Sequence, residues 1–119
     1  MNIYTSYFGN MRNIPAGMVP IAICAKTPAA YTGIRYKTLA PKYDCLMQYK
    51  QNHNEENYIQ QYNSQVLSRL SPAGVVRRLE LLSGGKDVVM LCYEKRGDFC
   101  HRHLVAQWLN NYGYDVKEL

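Results

Sequence analysis

The stretch Asp87–Cys92 (DVVMLC) constrains the fold more than any other part of the chain. It is apolar on both faces. A strand with one face in water alternates apolar and polar residues, whereas a strand inside a parallel sheet is apolar throughout, because layers pack on both of its faces. A polar turn, Glu94–Asp98, follows it, and then an amphipathic helical pattern begins. Leu104, Val105, Trp108, Leu109 and Tyr112 form the apolar stripe of that helix. Asp98 is its expected N-cap and Gly113 its stop. Tyr114–Leu119 (YDVKEL) reads as a last short strand.

The preceding residues supply the partners that such a buried strand needs. Asn2–Phe8 (NIYTSYF) is rich in β-branched and aromatic residues and reads as a first strand, ended by Gly9-Asn10. Val19–Cys24 (VPIAIC) reads as a second, with Pro20 marking an edge or the strand's first turn. Ala25–Pro41 has no clean period and is broken by Pro28, Gly33 and Pro41, so it reads as a loop of the kind that carries function. Lys42–Lys50 shows a short helical pattern. Asn54 caps a longer helix with Glu55 and Glu56 in its first turn, and Tyr58, Ile59, Tyr62, Val66, Leu67 and Leu70 mark one face. Ser71-Pro72 starts another, with Val75, Val76, Leu79 and Leu82 as its stripe and Gly84-Gly85 as its stop. The expectation is a single α/β domain over residues 1–119: a small, mainly parallel sheet of about four strands flanked by helices, in a Rossmann-like three-layer architecture.

Composition excludes several classes. With 47% hydrophobic and 19% charged residues the chain has a core and is not a disordered segment. No apolar run approaches membrane-spanning length, and MNIYTSYFGNMRN lacks the charged-then-apolar layout of a secretory signal, so the cytoplasm is the default location and no membrane partner is expected. In that setting Cys24, Cys45, Cys92 and Cys100 are expected as buried thiols rather than disulfides. The net charge of +5 is scattered and admits an anionic ligand or nucleic acid as partner.

Most of the candidate chemistry lies where the buried strand meets the last helix. Ligands of parallel α/β sheets bind beyond the carboxyl ends of the strands, and the N–H groups of a helix start attract anions. Cys100 falls at that start, where a thiol is activated by the helix dipole and by nearby cations. His101 is a candidate acid or base near neutral pH, and Glu94 a candidate base or nucleophile. Arg102 and Lys95 suit an anionic group; the structural alternative is that Arg102 pairs with Glu94 across the turn. Cys92, Cys100, His101 and His103 include metal-ligating types, but C-x7-C-H-x-H has no short ligand pair, so no metal or other cofactor is expected. A phosphatase-type cysteine loop beginning at Cys92 would place its arginine at position 98, which is Asp98, an acid that repels phosphate.

The stretch DVVMLCYEKRGDFCHRHLVAQWL resembles the C-terminal signature of the domain-of-unknown-function family numbered 488. That signature is an apolar strand ending in Leu-Cys-x-Glu, then Cys-His-Arg, then Leu-x-Ala in a helix. Here it falls on Leu91, Cys92, Glu94, Cys100, His101, Arg102, Leu104 or Val105, and Ala106. IYTSYFGN is similar to the family's first strand and turn, and VPIAICAKTP and YTGIRYKTLAP to the two middle blocks of its short members. The resemblance implies an α/β domain with these polar residues at one end of the sheet, and implies no settled activity. Many members read Ile-Ala-Arg after the second strand; here Ile23-Cys24-Ala25-Lys26 leaves Lys26 as the basic residue.

If this junction is a site, Arg35, Tyr36 and Lys37 of the broken loop are its expected distant contributors, and Ser6, Asn10 and Arg12 line its rim. The leading expectation is an enzyme on a phosphorylated or nucleotide-like substrate. Arg102, Lys26 and Arg35 would then hold the anion, Glu94 or Cys100 would react, and His101 would shuttle the proton. The nucleoside deoxyribosyltransferase type of α/β fold has a similar glutamate at a strand end. The alternative is a non-catalytic module that binds nucleotide or nucleic acid through the same basic edge.

Overall fold

In a computed structural model covering residues 1–119, Val88–Cys92 is strand β4 at the centre of the sheet, between β1 (Ile3–Tyr7) and β2 (Val19–Ala22). β3 (Ile34–Arg35) lies beyond β2, and β5 (Val116–Glu118) lies beyond β1. All neighbouring strands run parallel, and all five residues of β4 are buried. The α/β fold class expected from the apolar strand is therefore what the chain adopts, with five strands rather than four. β3 was hidden in the segment expected as a loop; two residues are too few to show alternation.

The helices are α1 (Tyr43–Asn52), α2 (Glu55–Gln65), α3 (Pro72–Ser83) and α4 (His101–Asn111). Their capping residues act as the sequence predicts for α2 and α3. The Asn54 side chain accepts from the Asn57 N–H at 3.0 Å, and Ser71 Oγ accepts from the Gly74 N–H at 3.2 Å. Gly84 ends α3 at φ +66°, a left-handed conformation that glycine adopts without strain.

Topology sets which face each connection covers. The chain runs from β3 through α1, α2 and α3 to β4, and from β4 through α4 to β5. Both crossings step the same way across the sheet, so right-handed crossovers put all four helices on one face. There Ile21, Val88 and Met90 pack with Tyr62, Leu79, Val105 and Leu109. The connections from β1 to β2 and from β2 to β3 step the other way and form the third layer. That layer is a 3-10 segment (Phe8–Asn13) and a loop, whose Phe8, Ile14 and Tyr31 cover Ala22, Val89 and Leu91.

Three local expectations are corrected. Of the two places expected for Pro20, the edge is ruled out and the strand's start is where it lies: it is the second residue of β2, and β3 pairs only with Ile21 and Ala22, so the missing Pro20 N–H lies outside that ladder. Asp98 does not cap α4. It closes a turn, donating its N–H to the Lys95 carbonyl at 3.1 Å with Gly97 at φ +89°, and Cys100 is the cap. Tyr112 is 65% exposed rather than part of the buried stripe, because it lies past the last turn of α4.

Candidate functional site

The parallel strands end together, so Cys92, Tyr7 and Ala22 share one edge of the sheet, and the β4–α4 connection rises from it. Beyond the Lys95–Asp98 turn the helix does not yet begin: Cys100 is extended, at φ −155° and ψ 146°. That extension carries Phe99 to Tyr49 and Tyr58 and brings Cys100 back over Cys92.

Arg102 anchors this connection from below. It is fully buried. Its Nε donates to Glu118 Oε1 at 3.2 Å and its Nη2 to Glu118 Oε2 at 2.9 Å, a two-point grip that an arginine fork fits and a lysine does not. Its Nη1 donates to the Glu94 carbonyl and, at 3.1 Å, to Cys92 Sγ. Burial pushes the Glu118 carboxyl up, but the Arg102 and Thr5 hydrogen bonds and the charge of Arg102 outweigh it and hold the carboxyl below its ordinary pKa. Arg102 takes the structural ion-pair role, with a different partner from the one expected. It does not face a ligand, because its donors are taken up inside the protein, and its ionic partner is Glu118 rather than Glu94. What it holds of Glu94 is the main chain, which leaves the carboxylate exposed.

His101 is buried beside it. Its Nε2–H donates to the Ile23 carbonyl at 2.7 Å, which fixes the tautomer and leaves Nδ1 as the unprotonated nitrogen, 3.8 Å from Cys100 Sγ. Burial pushes the imidazole down to about 4, overcoming the Ile23 hydrogen bond, with Arg102 and His103 adding repulsion. At neutral pH the ring is therefore uncharged, and one nitrogen is committed to the backbone, so the expected proton shuttle is not arranged here. Cys100 carries no free thiol either: it is bonded to Cys92, which corrects the expectation of four thiols. Cys24 and Cys45 are free and buried; burial raises both thiols, that of Cys45 to about 11.

The His101 shift has a measurable consequence. The unfolded chain protonates this histidine near its ordinary value of 6.5 and the folded chain only near 4, so acid favours unfolding between those values. Stability is expected to fall by about 2 kcal/mol from pH 7 to pH 5. Urea unfolding of the wild type and of His101→Gln checks this: the variant should lose most of that dependence, and an equal slope in both would refute it.

Cys100 and His101 also line a cavity of about 370 Å³, on the helix-bearing side of the strand ends. Its wall is aromatic. Phe99 packs between Tyr49 and Tyr58, with ring centres 5.1 and 5.0 Å apart, and Tyr93 stands at the mouth. Its charged groups are Glu94, Lys26 and Lys50, all exposed. The N-terminus of α4, which has no side-chain cap, opens on the same space. Four of the sequence-predicted residues thus meet here: Glu94, Cys100, His101 and Lys26.

The others lie elsewhere. Arg35 is exposed on β3, and Tyr36 packs on the main core. Ser6 is buried and accepts from Asn10 Nδ2 at 3.1 Å, an intramolecular turn contact. Phe99, Tyr49, Tyr58 and Lys50 were missed. Tyr58 reads in the sequence as part of a helix's apolar face, and nothing in the sequence brings position 49 to position 99. Glu118 was missed because a short C-terminal strand with a carboxylate is unremarkable until a buried arginine points at it.

No helix is long and apolar enough to cross a membrane. No curated protein and no solved structure matches the chain. The family model DUF488-N3a, described as the active DUF488-N3 subclade, matches residues 8–113. That match takes in β2, β3, all four helices, β4 and the whole Cys-His-Arg junction, and the chain belongs to this DUF488 family.

Proposed function

We propose that the protein is an enzyme acting on a small nucleotide-like substrate held in the cavity above the β4–α4 junction. The observation that carries the reading is the pairing of an aromatic wall with a charged mouth. Phe99, Tyr49 and Tyr58 pack edge-to-face and tilted, Phe99 at 35° to Tyr49 and 84° to Tyr58, and give the cavity an apolar aromatic wall on which one ring can take a base. Lys26, Lys50 and the uncapped N-terminus of α4 favour an anionic group at the opening. The volume of about 370 Å³ lies in the range of small-ligand pockets.

Glu94 is the reactive group in this reading. It lies at the mouth with its backbone fixed by Arg102 and its carboxylate free, a placement that fits a general base or a nucleophile toward the bound substrate. The ligand-binding residues are then Lys26, Lys50 and the aromatic wall. Arg102 positions Glu94 without touching the substrate.

Calorimetric titration with nucleosides and nucleoside phosphates tests the proposal. Binding of at least one nucleotide is expected, and Phe99→Ala should weaken it by about 1–3 kcal/mol, the usual worth of one base stacked on one ring. Lys26→Ala should weaken nucleotides more than the parent nucleosides. Absence of binding across the panel, or affinity indifferent to Phe99→Ala, would contradict the reading.

A further inference from the structure

Beneath the cavity, Cys92 Sγ, Cys100 Sγ and a ring nitrogen of His101 lie within 4.8 Å of one another, His101 Nδ1 being 3.8 Å from Cys100 Sγ, and all three residues are buried. We propose that in the reduced protein these three atoms bind one Zn²⁺, with its fourth coordination position open toward the cavity. This proposal stands independently of the nucleotide reading.

The chemistry of the donors is the first support. Two cysteine sulfurs and one imidazole nitrogen form a set that zinc takes at sites with an open position. The imidazole is already oriented as a ligand. Its Nε2–H is held by the Ile23 carbonyl at 2.7 Å, which leaves the Nδ1 lone pair facing the sulfurs. Backbone carbonyls commonly hold metal-bound histidines in this way.

Geometry and charge agree. A tetrahedral zinc with bonds of about 2.3 Å to sulfur and about 2.0 Å to nitrogen sets its donors about 3.5–3.8 Å apart. Cys100 Sγ and His101 Nδ1 are 3.8 Å apart as they stand. The Cα atoms of Cys92 and Cys100 are 7.5 Å apart, so the backbone leaves room for the two sulfurs to separate around an ion. Two thiolates offset the ion's charge, so the Arg102–Glu118 pair keeps its balance. The Arg102 Nη1–H that reaches Cys92 Sγ at 3.1 Å would support the thiolate form. Spacing in sequence argues against a metal; the extended Cys100 at the start of α4 brings the ligands together without a short pair.

The steps balance. A trialkylphosphine and water convert the Cys92–Cys100 disulfide to two thiols and the phosphine oxide. Zn²⁺ then replaces both thiol protons, which are released. Cys100 and His101 border the cavity, so the remaining position faces it.

The test uses the full chain, reduced with phosphine under argon and shown by thiol counting to carry its four cysteines as thiols. Co²⁺ is titrated as a spectroscopic probe, then displaced with Zn²⁺. One equivalent should produce sulfur-to-cobalt charge-transfer bands and tetrahedral d–d bands, and zinc should abolish both. Cys100→Ser and His101→Gln should each lower the affinity at least about 100-fold, more than is usual for losing a supporting partner. Cys24→Ser and Cys45→Ser should leave it unchanged. Circular dichroism of each metal-free variant shows that it is folded; if one of the two ligand variants is not, the other decides. Absence of charge-transfer bands in the reduced wild type overturns the proposal, as do bands that survive the ligand variant or are lost with Cys24 or Cys45.

Discussion

Replacing Arg102 with alanine should lower stability by about 3 kcal/mol, the low end of the usual cost of breaking a buried ion pair, because the Glu118 left behind is 23% exposed. For a chain of this size that corresponds to a fall of roughly 10–20 °C in Tm. Three losses combine. The two-point bond to Glu118 goes, the Glu94 carbonyl and Cys92 Sγ lose a donor, and a side chain with no exposure leaves a void. The damage should be local first. β5 has only three residues and one neighbouring strand; the Asn110 side chain holds its start at Val116, and Glu118 holds its end. Amide exchange of Val116–Glu118 should accelerate before that of β4. Arg102→Lys should rescue only part, since a lysine lacks the fork. The double variant Arg102→Met with Glu118→Leu should recover most of the stability, because an apolar pair carries no unmet charge. A loss under 1 kcal/mol in Arg102→Ala would show that the pair is not an anchor.

Glu94→Gln should behave in the opposite way. The side chain is exposed and makes no hydrogen bond within the protein, so Tm should change little and nucleotide affinity by only a few-fold. Turnover should fall by about 10²–10⁴, the range that a general acid–base group supplies. Products formed from the nucleotides that bind, followed by mass spectrometry, give the rate. The contrast between the variants separates positioning from chemistry: Arg102→Lys should lower stability and kcat together, whereas Glu94→Gln should lower kcat alone. Turnover unchanged in Glu94→Gln would remove Glu94 from the chemistry even if the pocket binds as proposed.

What was legible in the sequence follows from how local its cause is. The central strand was readable because burial on both faces leaves an unbroken apolar run, and Ser71, Asn54 and Gly84 marked helix ends because capping acts within four residues. The junction was readable because reactive residue types were concentrated there. The partners were not. Arg102 could be read as needing a carboxylate, but Glu94 was near in sequence and Glu118 is near in space, since β5 returns beside β1. The Cys92–Cys100 bond depends on Cys100 being extended, where the sequence suggested that the helix had begun. The aromatic wall joins α1, α2 and the β4–α4 connection, a meeting set by the crossover and by no local signal.

The central claim is that the cavity beside Phe99 and Glu94 is where a nucleotide binds. Backbone amide shifts, followed by NMR as the tightest-binding nucleoside phosphate is added, test it most directly. The account predicts that the largest changes fall on Lys26, Tyr49, Phe99, Cys100 and His101, saturate at one ligand per chain, and shrink in Phe99→Ala. Largest changes elsewhere, such as the groove between α2 and α4 lined by Ile59 and Trp108, or no saturable change at all, would contradict it.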